Sequence, residues 1–388
     1  MSIPTGRRRI ERTLDESLTR KMRRRGHLEY DPIDVGRARE RLEKFLLSVL
    51  DEQFEVHDVS RLTGGASMEQ FTFTLRRGGR SGAVDERMVL RMSPPAVLLE
   101  THREREFQIL RAMADDLPVP HAYWFADEHS ALGTPSLITS FSPGVAAPSD
   151  AKTEAKSTNH LSTVYGSHRT ALAPQFVQHL ARLHTMDWSQ KDLSALDVPA
   201  EASTEALDWR LALWDRVWEE DTFEAHPTVA LARDWLWERR PAVDHVSLLH
   251  GDYRNGNFLF DESDSRITAI LDWELGHLGD RHSDLAYAML PGYGYTDESG
   301  AYLCAGLQDA SRLITDYERL SGLAVDPERL RYYSVFNMYW AIVACYATAS
   351  RVAAEQASHV DVVMNFVSGL AAFFVAELNQ ILREDYRR

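Results

Sequence analysis

The amino-acid sequence predicts an α+β fold with two unequal lobes, a small β-rich lobe containing one main helix and a larger, mostly helical lobe. One observation behind this prediction is a series of alternating or β-rich runs on either side of a helical segment. The other is the helical periodicity that dominates the chain after residue 170. We therefore divide the chain into a charged, flexible arm (1–35), an N-terminal lobe (36–141) and a C-terminal lobe (142–388).

The N-terminal lobe is predicted to hold a helix, three strands, a second helix and two further strands. Apolar residues recur at helical spacing in the helices, and glycine-containing turns separate the first three strands. In chain order the predicted ranges are 36–50, 54–62, 68–77, 86–93, 98–113, 121–127 and 135–141. Residues 1–35 are charge-rich with few large apolar side chains, which favours a loosely attached arm.

The C-terminal lobe is predicted to begin with a long loop, because residues 145–170 are small and polar with little periodicity. The predicted helices 173–186, 208–220 and 226–240 follow it. Two short strands, 258–260 and 266–271, then interrupt the helical half. Helices are predicted from there to the end of the chain, and no internal repeat is evident.

Composition restricts the class of function. The 388 residues carry a formal net charge of −15, which argues against a general nucleic-acid partner because a phosphate backbone would be repelled. The chain has two cysteines, Cys304 and Cys345, outside any CxxC or Cys/His pattern. Structural zinc and a disulfide framework are therefore not expected, and a reducing, cytoplasmic compartment is.

Two late apolar stretches raise the question of a membrane. Residues 335–349 and 362–378 fall slightly short of a membrane span, and each contains an asparagine. The N-terminus has basic residues with no apolar stretch behind them, so it does not resemble a signal peptide. We predict that both stretches are buried helices of the core and that no membrane partner is involved.

The stretch LHGDYRNGNFLF (249–260) carries the strongest chemical signal, together with ILDWE beginning at residue 270. Asp252 offers a carboxylate that could accept a hydroxyl proton, and Asn257, five residues on, offers a neutral oxygen to a metal ion. Asp272 follows the next predicted strand, and a hairpin would bring it beside Asn257. Asn-Gly is also a common turn dipeptide, so a plain turn is the alternative for the first motif alone.

These motifs resemble the aminoglycoside phosphotransferase and choline kinase branch of the kinase-like superfamily. HGDYRNGN is similar to that branch's HGDxxxxN catalytic loop, and ILDWE to its metal-binding segment. The resemblance implies a bilobal protein-kinase-like fold, with Asp252, Asn257 and Arg91 as catalytic residues. It also implies Asn257 and Asp272 as Mg²⁺ ligands. It implies supporting roles for His250, which would hold the loop shape, and for Asp284, which would anchor the loop or cap a helix. For Glu274 two alternatives stay open: it binds a second metal ion, or it has an exposed or structural role.

The resemblance also implies a nucleotide site in the N-terminal lobe. Gly64, Gly65 and Ser67 stand where the family has its glycine-rich loop, although a hairpin turn explains TGG equally well. Arg91 stands where kinases usually have the phosphate-contacting Lys, with Glu106 as its partner on the following helix; an outward-facing strand Arg is the alternative. Residues Ser140, Phe141 and Ser142 match the hinge between lobes, where adenine would bind the backbone.

The predicted function is Mg²⁺-dependent transfer of a phosphate from ATP, with GTP not excluded, to the hydroxyl of a small molecule. The strand MVLRMS and the run ILDWELGHLGD are most similar to the kinase domains linked to acyl-CoA dehydrogenases. Hydroxyacyl-CoAs, aminoglycosides and other small alcohols are therefore the candidate acceptors. A nucleotide-binding pseudokinase with a scaffold or sensor role is the alternative, motivated by Arg91 in place of Lys. A protein kinase is disfavoured because HRD, DFG and APE motifs are absent.

Overall fold

The structure of the protein is a computed structural model that describes residues 8–27, 31–62, 68–78, 82–149, 161–357 and 361–385. Its N-terminal lobe contains a five-stranded antiparallel sheet in the order β1-β2-β3-β5-β4. The strands are β1 (Phe54–Arg61), β2 (Glu69–Arg77), β3 (Val84–Met92), β4 (Ala122–Ala126) and β5 (Ser136–Ser140). All five predicted strands are therefore present, each within two residues of its predicted start and end.

Two helices complete this lobe, α2 (Val35–Val49) and α3 (Arg103–Met113). Leu42 and Leu46 of α2 are fully buried in one core cluster with Phe73 and Leu75 of the sheet. Helix α3 begins five residues later than predicted. The residues before it run outside the helix along α1 (Arg12–Arg24), where Thr101 accepts a 3.3 Å hydrogen bond from the Ser17 hydroxyl.

The C-terminal lobe is mostly helical, and α4 begins four residues before its predicted start. Its helices are α4 (Arg169–Thr185), α5 (Glu205–Asp221), α6 (Pro227–Glu238), α7 (His282–Ala288), α8 (Ala310–Ser321), α9 (Pro327–Ile342), α10 (Ala349–Glu355) and α11 (Asp361–Asp385). A π-helical segment, Val343–Thr348, joins α9 to α10. The predicted α+β fold with two unequal lobes is confirmed.

Three short antiparallel pairs lie within this helical lobe. They are formed by β6 (Val246–Leu249) with β9 (His277–Asp280), β7 (Phe258–Asp261) with β8 (Arg266–Ile270), and β10 (Tyr295–Thr296) with β11 (Tyr302–Leu303). The β7–β8 hairpin was predicted, whereas the other two pairs were not. Phe258 lies opposite Ile270, so the residues just before β7 and just after β8 are neighbours at one end of the hairpin.

The prediction of a charged, flexible arm over residues 1–35 is wrong for residues 8–27. Helix α1 lies against α5, and its buried residues include Leu14 and Leu18. Its charges are buried by pairing: the Lys21 ammonium is 2.7 Å from an Asp221 carboxylate oxygen, with both side chains at least 95% buried. A charged segment is therefore part of the folded body because distant carboxylates neutralise it.

The two late apolar stretches differ in how far they are buried. The first forms the end of α9 and the π-helical segment and is largely buried, as predicted. The second lies in α11, where the prediction of a buried core helix holds for one face only: Phe374 and Leu378 are buried in the core, whereas Val363, Phe366 and Phe373 are exposed. Among the described residues, Val363–Glu384 is the one helix that is long and apolar enough to span a membrane by length and composition, and 22% of its apolar window is buried.

Both cysteines are free thiols in this lobe, Cys304 buried and Cys345 half-buried. Burial raises the pKa of each thiol to about 12. At neutral pH they are therefore uncharged packing groups rather than nucleophiles.

Candidate active site

The loop between β6 and β7 is fixed by a fully buried histidine. His250 Nε2 donates to the Leu271 carbonyl at 2.8 Å, and its Nδ1 accepts from the backbone N–H of Asp252 at 3.2 Å. One ring nitrogen donates and the other accepts, which is the pattern of a neutral imidazole. His250 therefore ties the loop to the segment that follows β8.

Asp284 on α7 anchors the start of the same loop. Its carboxylate accepts backbone N–H groups from His250 at 2.7 Å and Gly251 at 2.8 Å. Burial opposes ionisation, but His184, with Nε2 at 3.3 Å, and then His250 hold the pKa of Asp284 below its usual range. Of the two predicted roles, the geometry favours loop anchoring, because α7 is preceded by Arg281 and Asp284 lies inside the helix.

The candidate base, Asp252, has a donor on each carboxylate oxygen. Asn257 Nδ2 lies 2.7 Å from Oδ2, and Arg254 Nε lies 2.9 Å from Oδ1. The same Asn257 amide nitrogen also donates to the backbone carbonyl of Asp252 at 2.8 Å. A carboxylate has about four acceptor positions, so both donors orient Asp252 and still leave room for a hydroxyl proton.

The residues predicted to hold a metal are brought together at the end of the β7–β8 hairpin. The backbone N–H of Leu271 donates to the Asn257 carbonyl at 2.8 Å, which places Asp272 beside the catalytic loop. Within the described residues, Asn257 Oδ1 engages in no hydrogen bond, and the Asp272 side chain is 47% exposed. One neutral oxygen, on the buried Asn257, and one charged oxygen, on the half-exposed Asp272, form a donor set that suits Mg²⁺. Asp272 also has a left-handed backbone, with φ +60°, the kind of outlier that often marks a functional site.

Arg91 of β3 connects the Asp272 carboxylate to the N-terminal lobe. Its Nη1 bonds Glu106 of α3, and its Nη2 lies 3.2 Å from Asp272 Oδ1. Burial opposes the charge, but Glu106 and Asp272 hold the pKa of Arg91 above its usual value. The alternative of an outward-facing strand Arg is excluded, because its side chain is 89% buried.

Glu106 and Glu274 share a further cation, Arg103. Arg103 Nη1 bonds Glu106, and its Nη2 lies 2.7 Å from Glu274 Oε2. Glu274 is thus mostly buried in an ion pair on the side of α3, and of the two roles left open for it the structural one fits. Five charges therefore alternate in sign from Asp272 through Arg91, Glu106 and Arg103 to Glu274.

A cleft of about 480 Å³ lies between the lobes beside these groups. The predicted residues among its lining are Arg91, Glu106, Ser140, Phe141, Ser142 and Asp272. The Phe141 N–H donates to the Arg87 carbonyl at 2.9 Å, whereas the Ser142 N–H has no partner within the described residues. Ser142 is therefore the hinge position with a donor available. Gly64, Gly65 and Ser67, predicted to contact phosphates, lie outside the described residues.

Two tyrosines, Tyr287 and Tyr293, lie near the base, and no pattern in the sequence pointed to them. The Tyr287 and Tyr293 hydroxyls are 2.6 Å apart, and the Arg254 guanidinium lies 4.9 Å from the Tyr293 ring centroid. Tyr287 stacks on Trp340, which stacks in turn on Trp214. Arg254 itself was visible within HGDYRNGN, but only the fold shows that it contacts Asp252.

The fold and the site together define a kinase-like phosphotransferase. A β-rich lobe and a helical lobe enclose a cleft lined by Asp272, Arg91 and Glu106, and the loop that holds Asp252 and Asn257 lies beside Asp272. Comparison with known families agrees. Residues 58–323 match the model of the phosphotransferase enzyme family (APH), and the chain belongs to that family.

Related sequences are found in longer proteins. The chain is 28% identical over 212 residues to mouse acyl-CoA dehydrogenase family member 10, and 30% identical over 227 residues to the probable acyl-CoA dehydrogenase IBR3 of Arabidopsis thaliana. It is 26% identical over 266 residues to human acyl-CoA dehydrogenase family member 11. These matches cover 54%, 56% and 65% of this chain but 19%, 26% and 31% of the relatives.

Solved structures share the fold at low sequence identity. A candidate aminoglycoside phosphotransferase from Ralstonia eutropha superposes with a TM-score of 0.64 at 22% identity, covering 89% of this chain and 98% of that one. The aminoglycoside phosphotransferase APH(4)-Ia, in a ternary complex with ADP and hygromycin B, gives 0.53 at 19% identity, with 89% and 97% covered. At these identities the likeness establishes the fold alone.

Proposed function

We propose that this phosphotransferase uses ATP and Mg²⁺ to phosphorylate the hydroxyl of a small molecule, with Asp252 as the base. The observation that carries the proposal is the meeting of Asp252, Asn257 and Asp272 beside the interlobe cleft, with Arg91 bonded to Asp272 from the opposite lobe. Phosphoryl transfer needs an aligned hydroxyl and neutralised phosphates more than covalent chemistry, and this arrangement offers both.

Each residue has a distinct task in this proposal. An acceptor hydroxyl donates to a free acceptor position of Asp252, which takes its proton as the oxygen attacks phosphorus. Asn257 and Arg254 hold the carboxylate in place. Arg91 faces the phosphates with a cation whose orientation is fixed by Glu106. Asn257 Oδ1 and Asp272 would hold Mg²⁺, which neutralises phosphate charge when it is bound.

The adenine would bind along the hinge. Ser142 supplies the available N–H, and the side chains of Val89, Leu110 and Leu259 line the same cleft as apolar surfaces for the base. Gly64, Gly65 and Ser67 remain the proposed phosphate-contacting loop, on the strength of their position between β1 and β2. We place the chemistry in the cytoplasm, because both thiols are free and unpaired with one another.

The acceptor is proposed from the relatives. Acyl-CoA dehydrogenase family members contain the matched region, which favours a hydroxyacyl-CoA. The solved complex of APH(4)-Ia holds hygromycin B, which keeps aminoglycosides among the candidates. The small alcohols of the wider family complete the set to be tested.

A second candidate is a nucleotide-binding pseudokinase that acts as a scaffold or sensor. The observations that favour it are Arg91 in the usual position of Lys and the Arg254 side chain bonded to the base. The presence of Asp252 beside Asn257 favours a catalytic phosphotransferase, because a protein that only binds nucleotide does not need a positioned base.

Turnover separates the two candidates. ADP release from ATP and Mg²⁺ would be measured for the wild type with a panel of hydroxyacyl-CoAs, aminoglycosides and simple alcohols, and for Asp252→Asn. We expect the variant to lose roughly 10²- to 10⁴-fold in kcat, the contribution typical of a general base, while its affinity for ADP changes by less than about twofold. A wild type that binds ADP and phosphorylates nothing in the panel would instead support the pseudokinase.

A further inference from the structure

Helix α1 lies outside residues 58–323, yet it reaches the helix that carries Glu106. The contact is made by Glu11, immediately before α1. Its Oε1 lies 2.8 Å from Nη2 of Arg105 on α3, and both side chains are at least 97% buried. Their separation of 94 residues in sequence makes this a tertiary contact between the N-terminal segment and the nucleotide-binding lobe.

Arg105 connects α1 and α3 to the metal-side segment as well. Its Nη1 donates to the Thr13 hydroxyl at 3.2 Å, and its Nη2 also donates to the Gly276 carbonyl at 3.2 Å. Gly276 ends the short turn that follows Asp272. The Arg105 guanidinium therefore connects α3 both to the N-terminal segment and to the turn that follows Asp272.

Arg105 and Glu106 are consecutive on α3, so their side chains leave the helix roughly 100° apart. Glu106 faces Arg91 and Arg103, whereas Arg105 faces Glu11 and Gly276. The helix is thus held from two sides. A rotation that breaks the Arg105 contacts must also move Glu106 relative to Arg91.

The negative charge of Glu11 lies between two buried cations, Arg105 and Arg210. Arg210 of α5 is also buried here, with Nη1 4.0 Å from Glu11 Oε2. Burial lowers the pKa of Arg210 to about 10, with Glu11 opposing the shift and Arg105 adding to it. Within the described residues, Glu11 is the only carboxylate that pairs with Arg105. Without its charge, two buried cations would repel each other.

We propose that Glu11 is a positioning residue for nucleotide binding, acting through Arg105 to hold α3 in the orientation that pairs Glu106 with Arg91. This inference rests on the proposed function, since it assumes that Arg91 faces the phosphates. The N-terminal segment that contains α1 then contributes to nucleotide binding through α3. Weakening its Glu11 contact lowers affinity for nucleotide and leaves the acceptor side of the cleft unchanged.

The test compares two isosteric neutralisations in the full chain. Glu11→Gln removes the contact to α3. Asp15→Asn removes an ion pair of the same helix, 2.6 Å from Arg216 of α5, that does not touch α3. ADP affinity would be measured by isothermal titration calorimetry and the unfolding temperature by calorimetry. We expect Glu11→Gln to weaken ADP binding about fivefold or more, the range of ordinary energetic coupling, and Asp15→Asn to change it by less than about twofold.

A third variant keeps the test decisive if Glu11→Gln fails to fold. Glu11→Asp retains the charge on a shorter side chain, and we expect its ADP affinity to lie below those of the wild type and of Asp15→Asn. Equal ADP affinity in the Glu11 variants and Asp15→Asn would overturn the inference while leaving the proposed function intact. A wild type that binds no ADP would overturn both.

Discussion

At the scale of single residues, the site is defined by what surrounds the Asp252 carboxylate. Asn257 donates to one oxygen and Arg254 to the other, so the base is oriented before any substrate binds. Arg254 is itself held, with Nη1 2.8 Å from the Asn255 carbonyl and its guanidinium near Tyr293. Asp252 keeps the pKa of Arg254 above its usual value although burial opposes the charge. Arg254 is therefore a fixed cation beside the proposed base.

Replacing Arg254 by Gln tests its contribution to turnover. The change removes the donor to Asp252 Oδ1 and leaves Asn257 as the only side-chain donor among the described residues, so the carboxylate gains freedom. We expect kcat to fall about tenfold, within the range for misplacement of a catalytic group, with ADP affinity nearly unchanged. Steady-state kinetics on the best acceptor, with ADP titration alongside, would measure both.

Arg254→Lys is the companion to that variant. An ammonium cannot reproduce the planar fork that bonds Asp252 and Asn255 together, so we expect little recovery. Wild-type kcat in Arg254→Gln would show that the ion pair is incidental to catalysis.

At the scale of elements, the catalytic loop and the metal-side turn are packed without space between them. Gly251 has φ +80°, and a Cβ at this position would lie 2.7 Å from the Leu275 carbonyl oxygen and 2.9 Å from its Cβ. Glycine is needed here both for the left-handed backbone and for the close approach. The position of Asp252 thus depends on the turn that carries Asp272.

Gly251→Ala is expected to disturb both segments at once. The left-handed backbone costs about 1–2 kcal/mol in an L-residue, and displacement of Leu275 adds to this. Gly322→Ala is the matched control, because Gly322 has φ +71° and a Cβ added there would have no described atom within 4 Å. Guanidinium unfolding and kcat would be measured for both variants. Equal losses in the two would refute the packing argument.

The sequence predicts the parts of the site that are local in the chain. Asp252 and Asn257 share one loop, and a single hairpin separates them from Asp272, so their meeting follows from short-range pattern. The contacts of α1 do not: Lys21 pairs with Asp221, 200 residues away, and a charged segment whose partner is so distant is predicted to be exposed. Strand β6 is buried at all four of its residues, so no alternation of buried and exposed positions marks it as a strand.

At the scale of the whole molecule, several histidines are held neutral by the fold. Burial lowers the pKa of His277 to about 3, and Arg210 nearby adds to the shift. Its Nδ1 donates to the Leu275 carbonyl at 2.9 Å. Burial likewise lowers the pKa of His179 to about 4. The native state therefore does not bind protons that the unfolded chain accepts.

This arrangement predicts acid sensitivity that begins near pH 6.5. A histidine takes up a proton in the unfolded chain below about pH 6.5, so stability is complete above that value and falls as the pH decreases towards 3. The loss approaches about 1.4 kcal/mol per pH unit for each such group. Urea unfolding at pH 7.0, 6.0 and 5.0 would measure it. His277→Gln should flatten the dependence, whereas His129→Gln, at an exposed position, is the control.

The alkylation rates of the two cysteine thiols report local opening of the helical lobe. A thiol with a pKa of about 12 reacts slowly with an alkylating reagent until local opening restores its ordinary acidity. Cys304 lies just after β11, and Cys345 lies in the π-helical segment after α9. Their separate labelling rates therefore report the opening free energies of two regions of the helical lobe, without any residue being introduced for the purpose.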